Sequence, residues 1–236
     1  IAVGHAGAQI LSGLRARSGS SLECAHADTS PESLRLSLID RKITLGLSVS
    51  HGLGAGGDPE IGRLSAESDL SSIHEFTQGA RLVFVITGLG GGTGSGAAPV
   101  IARAARESGA LVLVIATTPF DFERRRLLYA QEALDRLRVS ADAVLAISNQ
   151  RVRRMHDDRT HPHELYQFAN ELLAQTLQGL WRLLNAPGLI PLDFAHIERL
   201  LDEAKDAAAA ANEVRALMFI ERFDHDVQAR FEQLGQ

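Results

Sequence analysis

Between residues 1 and 148, short apolar runs alternate with longer segments in which apolar residues recur at helical spacing. Three runs, residues 82–87, 111–117 and 143–148, are almost continuously apolar, which is typical of strands buried on both faces of a parallel sheet. Strands that alternate with helices build an α/β fold in which the helices cover the sheet. We predict six strands, and the three weaker ones are residues 1–3, 22–27 and 43–47.

The segments with the clearest helical spacing are residues 97–108, 123–139 and 164–184. We predict that Pro99 lies in the first turn of its helix, where its missing N–H is tolerated. The third helix would be about 31 Å long, at 1.5 Å per residue, and would end at the Asn-Ala-Pro-Gly sequence of residues 185–188. We therefore predict a domain over residues 1–185 that includes this long helix, followed by a loop and a short helical region over residues 186–236.

Composition excludes several classes of protein. Lys and Arg number 24 against 29 Asp and Glu, so the net charge of −5 gives no general attraction to nucleic acid. No apolar run approaches the roughly 20 residues that span a bilayer, and direct membrane insertion is not expected. The one cysteine, Cys24, cannot form an internal disulfide, which is typical of reducing compartments. We predict a globular, cytoplasmic protein.

The strongest candidate for chemistry is the glycine-rich stretch at residues 88–96, which lies directly between a predicted strand and a predicted helix. Glycines let backbone N–H groups converge on an anion, and a helix N-terminus adds partial positive charge. The stretch lacks the Gly-Lys-Ser/Thr sequence of a P-loop. After the first strand, where dinucleotide-binding proteins carry their glycine fingerprint, residues 4–8 offer only a weaker turn. We predict a phosphate-binding loop, and a flexible linker is the alternative.

Two further loops are expected at the same edge of the sheet. Residues 51–60 form a second glycine-rich stretch that ends at a helix start and could donate N–H groups to a terminal phosphate. Residues 117–123 follow a buried strand, where open α/β sheets place loops that contact ligands. We therefore predict that three loops surround one ligand.

Four segments together resemble the tubulin/FtsZ family. Residues 90–96 resemble its signature loop, and residues 52–63 resemble the γ-phosphate loop of bacterial members almost residue for residue. Residues 119–123 are similar to the ribose loop, and residues 187–195 to the catalytic loop. The motifs occur in family order over about residues 1–201.

This resemblance implies a Rossmann-like parallel sheet flanked by helices, with a long core helix, that binds GTP or GDP. Mg²⁺ would be held by the phosphates and water, with no protein metal site. Pro119 and Glu123 would contact the ribose; Arg126 either replaces the family's arginine there or lies on a solvated helix face. The implied nucleotide-binding residues are Gly4, Gly7, Ala8, Gln9, Ala55, Gly56, Gly57, Gly91, Gly92, Thr93, Gly94, Pro119, Glu123, Arg126, Asn149, Phe168, Asn170 and Glu171.

The same resemblance implies that Asn149, Asn170 and Glu171 recognise the guanine. A carboxylate such as that of Glu171 can accept hydrogen bonds from N1–H and the exocyclic amine of guanine, and adenine has no such donor pair. Phe168 either stacks on the base or packs in the core. The first phosphate loop departs from the family, because His5 and Ala6 replace glycines and Gln9 replaces an asparagine.

The catalytic-type loop departs more strongly. The family carries an asparagine and two acidic residues there, and this chain has Pro191, Asp193 and His196 at those positions. A single carboxylate polarises water less effectively than two, and Asp193 is also a suitable helix N-cap. We therefore expect GTP hydrolysis to be slow or absent.

In residues 202–236 the apolar positions have only helical spacing, whereas the family has a second domain with a sheet there. We therefore expect a reduced C-terminal region.

Along the long helix, Glu171 and the loop that carries Asp193 would be separated by roughly 20–30 Å. One subunit cannot bring them together, whereas a head-to-tail neighbour can, and such a contact propagates into a filament. We expect the partner to be another copy of this chain or another FtsZ-type subunit. The alternative is a non-hydrolysing pseudo-GTPase that regulates an FtsZ filament. A dinucleotide-dependent oxidoreductase is disfavoured by the misplaced glycine fingerprint.

Overall fold

The computed structural model describes residues 1–18, 22–157 and 160–185. Six parallel strands form one sheet in the order β3-β2-β1-β4-β5-β6. The strands are β1 Ala2–Val3, β2 Ala25–Asp28, β3 Arg41–Thr44, β4 Leu82–Gly88, β5 Leu111–Thr118 and β6 Ala143–Ser148. The helices are α1 Gly4–Ser18, α2 Pro31–Leu36, α3 Leu47–Ser50, α4 Pro59–Ser68, α5 Leu70–Thr77, α6 Gly92–Glu107, α7 Arg124–Ser140, α8 Asn149–Arg154 and α9 Pro162–Asn185. The predicted α/β class and parallel sheet are confirmed.

The chain divides into two compact units, Ile1–Gln178 and Gly179–Gln236. The first unit contains the whole sheet and α1 to α8. The described part of the second unit is the end of α9. The predicted catalytic-type loop and short helical region over residues 186–236, with Asp193 and His196, lie outside the described residues, and the predicted boundary after residue 185 stays a prediction.

Two apolar clusters cover the two faces of the sheet in the first unit. Val3 and Val85 belong to the cluster that includes residues of α6 and α7. Their sequence neighbours Ala2 and Ile86 belong to the other cluster, which includes residues of α1 and α9. Adjacent strand residues point to opposite faces, so the central strands are buried on both sides, as their continuous apolar runs predicted.

Two segments that the sequence predicted as a turn or a loop are the starts of helices. α6 begins at Gly92 instead of residue 97, so Pro99 lies inside the helix and not in its first turn. The predicted turn at residues 4–8 is the first part of α1, which begins directly after β1. Glycine is a poor helix former, and the glycine-rich start of α6 therefore looked like a loop. Its conformation is set by close packing, because a Cβ at Gly96 would lie 2.0 Å from the carbonyl oxygen of Pro59.

Candidate functional site

The site lies at the carboxyl edge of the sheet, where the direction of winding changes. From β1 the chain winds outward through β2 and β3, then returns to β4 on the other side of β1. In open α/β sheets, ligands bind in the crevice at such a switch point. α1 begins directly after β1, and α6 begins at Gly92, a few residues after β4. Two helix N-termini, each with partial positive charge and free N–H groups, therefore meet at this crevice.

A cavity of about 1200 Å³ opens at this edge. It is large enough for a nucleotide, since pockets for small molecules typically measure about 300–1,000 Å³. Most of its lining comes from the ends of strands and the starts of helices. The lining includes Gly4, His5, Gln9, Arg17, Asp28, Thr29, Ser30, Ala55, Gly56, Gly57, Gly91, Gly92, Thr93, Gly94, Pro119, Glu123, Arg126, Asn149, Tyr166, Asn170 and Glu171.

The glycines of this site serve two different purposes. At Gly94, a Cβ would lie 2.1 Å from the carbonyl oxygen of Gly88, so glycine is required for the backbones to pack. At Gly56, Gly57 and Gly91, a Cβ would meet nothing within 4 Å. Those three positions border open space, and their backbone is accessible to a ligand. Gly56 and Gly57 also have φ of +57° and +81°, a region that favours glycine.

Hydrogen bonds join three loops beneath this glycine-rich end of the cavity. The Thr29 hydroxyl accepts from the backbone N–H of Ala55 at 2.9 Å and lies 2.7 Å from the Thr93 hydroxyl. The Thr93 hydroxyl is also 3.2 Å from Oδ1 of Asp28. Asp28 and Thr29 come directly at the end of β2, and Thr93 lies in the first turn of α6. These bonds hold the two glycine-rich segments at fixed positions relative to each other.

The carboxylate of Glu123 lines the cavity together with Arg126 and Tyr166. Glu123 accepts from the backbone N–H of Phe120 at 3.0 Å and forms an ion pair with Arg126. Burial opposes the ionised form of Glu123, but Arg126, the Phe120 N–H and Tyr166 together hold the pKa of Glu123 below its ordinary value. Burial, together with the Glu123 carboxylate, raises the pKa of Tyr166 to about 12. Tyr166 is therefore a hydroxyl donor at neutral pH.

Polar side chains of α1, α8 and α9 surround the far end of the cavity. Asn149 is 4% exposed, and its Oδ1 has no hydrogen-bond partner. A buried acceptor without a partner is costly, so a ligand donor would be favourable there. Asn170 donates to Gln9 at 2.7 Å, and Glu171 pairs with Arg17.

The cavity brings together most of the residues predicted to bind a nucleotide. Gly7, Ala8 and Phe168 are not part of its lining. A Cβ at Gly7 would lie 2.2 Å from the carbonyl oxygen of Ile86, and Ala8 is buried in the apolar cluster beside α1. The Phe168 ring makes an edge contact with His156 at 4.4 Å. The ligand roles of the predicted residues stay predictions.

Sequence reasoning missed Asp28, Thr29, Tyr166 and Arg17. Asp28 and Thr29 follow a parallel strand at the edge where ligands bind, and that rule would have identified them. The roles of Arg17 and Tyr166 depend on the packing of α9 against elements far away in sequence.

Within the described ranges, no group of three or more His, Cys, Asp or Glu side chains could hold a metal ion. No described helix is long and apolar enough to cross a membrane.

The fold is an open parallel α/β sheet with glycine backbone and two helix N-termini at its switch point. This arrangement is typical of nucleotide-binding α/β proteins. The sequence model described as "Tubulin/FtsZ family, GTPase domain" matches residues 1–157. The chain therefore belongs to the tubulin/FtsZ family.

Curated relatives and solved structures agree with this assignment. The chain is 37% identical over 221 residues to the cell division protein FtsZ of Caulobacter vibrioides, covering 92% of this chain and 44% of the relative. It is 39% identical over 214 residues to FtsZ of Magnetospirillum gryphiswaldense, covering 90% and 38%. The chain thus spans less than half the length of these relatives.

Two solved structures have the same fold. An empty FtsZ dimer of M. jannaschii matches with a TM-score of 0.78 and 32% identity, over 83% of this chain and 57% of that one. CetZ2 of Haloferax volcanii, solved as a GTPγS-bound protofilament, matches with a TM-score of 0.72 and 28% identity, over 84% and 60%.

Proposed function

We propose that this chain is an FtsZ-like GTP-binding module that assembles head to tail into filaments of the cytoskeletal or cell-division type. The observation that carries the proposal is the cavity at the sheet edge, with its two helix N-termini and its open glycine backbone. The similarity to FtsZ and to a protofilament of CetZ2 supports it.

The residues of the cavity fit a guanine nucleotide. The open backbone at Gly56, Gly57 and Gly91 leaves room for phosphates where a Cβ would otherwise project, and the N–H groups of α1 and α6 would neutralise part of their charge. At the far end, the unpartnered oxygen of Asn149 and the carboxylate of Glu171 can accept hydrogen bonds from guanine. Mg²⁺ bound to the phosphates would neutralise further negative charge.

We propose that hydrolysis, where it occurs, takes place between two subunits and is slow. The sequence predicted to form the catalytic-type loop retains one acid, Asp193, but has Pro191 and His196 where the family has an asparagine and a second acid. Fewer carboxylates polarise the attacking water less. These substitutions also favour a second candidate function, a pseudo-GTPase that binds nucleotide without hydrolysis and regulates a filament of another FtsZ-type subunit.

The test is turnover of Mg-GTP as a function of protein concentration, with the bound nucleotide identified by chromatography after acid quench. Specific activity that rises with concentration is expected if a neighbour completes the site. GTP that is retained without turnover at every concentration would support the pseudo-GTPase, and failure to bind GTP or GDP would overturn both functions.

A double variant tests the role of the loop. Changing Pro191→Asn together with His196→Asp should raise turnover, because it restores the residue types of the active family loop. An unchanged rate in protein that still assembles would show that this loop is not the catalytic one.

A further inference from the structure

A fully buried histidine lies behind the glycine-rich end of the cavity. His26 of β2 is 0% exposed, and its Nδ1 has no hydrogen-bond partner. Its Nε2 lies 3.4 Å from Oδ2 of Asp28, two residues further along the same strand face. Buried polar atoms are usually hydrogen-bonded, and leaving them unpaired costs stability. An apolar residue would pack at this position without that cost, so the structure favours a role for the imidazole that depends on its charge.

Asp28 connects this histidine to the cavity. Its side chain is part of the cavity lining although the residue is only 3% exposed. Its Oδ1 is 3.2 Å from both the Thr93 hydroxyl and the backbone N–H of Ser30. Burial by itself raises the pKa of Asp28, but contact with the His26 ring and the Ser30 N–H lowers it by more, so the carboxyl is ionised at neutral pH.

An ionised carboxylate at this position conflicts with a phosphate ligand. Thr93 is in the first turn of α6, where the helix N-terminus attracts anions. A phosphate there would lie close to Asp28, and like charges repel strongly where water is largely excluded. The repulsion falls if a proton on His26 makes the His26–Asp28 pair neutral. His26 is a buried ionisable side chain in direct contact with Asp28, and it is not part of the cavity lining.

The other charged side chains near β2 do not serve this purpose. On its neighbours these are His5, Arg15 and Arg17 of α1, Glu32 and Arg35 of α2, and Arg41 and Lys42 of β3, whereas β1 is Ala-Val. Arg15 and Arg17 pair with Asp40 and Glu171. His5, which is exposed and hydrogen-bonds with Gln9, and His163 both line the cavity, so these two histidines are competing sources of a proton effect at the site.

We propose that binding of a nucleotide's phosphates at the start of α6 drives uptake of a proton onto His26, so that the His26–Asp28 pair makes nucleotide affinity depend on pH. The inference rests on the proposed function only in requiring that phosphates bind there. By linkage, a site that takes up a proton with its ligand binds that ligand more tightly as pH falls. The affinity changes by at most about tenfold per pH unit for one proton.

The first test is calorimetry of Mg-GDP binding to the full chain in two buffers of different ionisation enthalpy at the same near-neutral pH. The apparent enthalpy should differ between the buffers by an amount that corresponds to net proton uptake. The difference should disappear in His26→Leu and persist in His74→Gln, which removes a half-buried histidine of α5 that is not part of the cavity lining. Proton uptake that persists in His26→Leu would overturn the proposal, and its disappearance in His5→Gln or His163→Gln would then identify the histidine responsible.

Asp28→Asn provides a second test that does not depend on changing the buried histidine. Asparagine keeps an oxygen for Thr93 and Ser30 but removes the negative charge. The variant should bind GDP more tightly than the unchanged chain above neutral pH and should lose the pH dependence. Equal weakening at every pH would mean that Asp28 is only structural and would overturn the proposal. GDP binding by the unchanged chain without proton uptake also overturns it, whereas no GDP binding at all would reject the proposed function itself.

Discussion

The two ends of the cavity are built from different parts of the polypeptide. The glycine-rich end is formed by backbone, at Gly56, Gly57, Gly91 and the starts of α1 and α6. The far end is formed by side chains, and two of them are held by residues of α1, in the pairs Asn170 with Gln9 and Glu171 with Arg17. Backbone geometry is set locally by sterics, whereas the far end requires two helices about 160 residues apart in sequence to pack correctly. Substitutions should therefore change fold and affinity differently at the two ends.

The largest effect is expected from a methyl group at a close-packed glycine. In Gly94→Ala, the new Cβ would lie 2.1 Å from the Gly88 carbonyl oxygen and 2.8 Å from the Thr87 hydroxyl. We expect the free energy of unfolding to fall by about 3 kcal/mol, measured by urea denaturation.

Gly91→Ala is the matched control, because Gly91 has φ of −97° and a Cβ there meets nothing within 4 Å. Its stability should change by less than about 1 kcal/mol, while its affinity for GDP falls because the methyl group occupies space beside the helix N-terminus. Equal loss of stability in both variants would contradict the distinction between packing glycines and ligand-facing glycines.

A second effect is expected at the far end of the cavity. Glu171→Gln should weaken GDP binding by about 1.5–3 kcal/mol, the range for hydrogen bonds to a charged group, and should leave ADP binding unchanged. Glu164→Gln is the control, because Glu164 lies in the first turn of the same helix and outside the cavity lining.

The pair of Glu171 with Arg17 sharpens this test. Arg17→Gln should have a smaller effect, because the ion pair is partly exposed and such pairs contribute about 0–1 kcal/mol. A GDP to ADP preference that is unchanged in Glu171→Gln would mean that the far end does not recognise guanine through this carboxylate.

The sequence predicted the sheet better than the details of the site. The continuous apolar runs of β4 and β5 were sufficient, since burial on both faces leaves a local signal. The equally apolar run of β6 was wrongly interpreted as buried on both faces, because β6 lies at the edge of the sheet and its residues are partly exposed. The predicted start of α6 was wrong, because helix propensity disfavours glycine and the contact that selects Gly96 is with the distant Pro59.

The same contrast between local signals and contacts of distant segments applies to the site residues. The glycines could be identified because sterics restrict the residue type at each position. The partners of Glu171 and the contact between Asp28 and Thr93 could not, since they depend on how separate elements pack. His26 is an extreme example, because a lone histidine in a weak strand has no sequence pattern that distinguishes it.

The smallest expected effect concerns the cluster of Glu123, Arg126 and Tyr166 in the cavity wall. Glu123 has a pKa below its ordinary value of 4.5 in spite of burial, because Arg126, the Phe120 N–H and Tyr166 stabilise its ionised form. A lowered pKa in the folded state contributes stability above the unfolded-state pKa, and this contribution is lost as pH falls through the folded-state value. Glu123→Gln should therefore lower the free energy of unfolding by about 1 kcal/mol at neutral pH and by progressively less in acid, measured as thermal unfolding against pH.

Glu132→Gln is the control, because Glu132 is at an exposed position of the same helix. It should lower the free energy of unfolding by less than about 0.5 kcal/mol at all pH values. If Glu123→Gln retains its full cost in acid, the cluster is held by packing, and this part of the cavity wall would then resemble the backbone-built end.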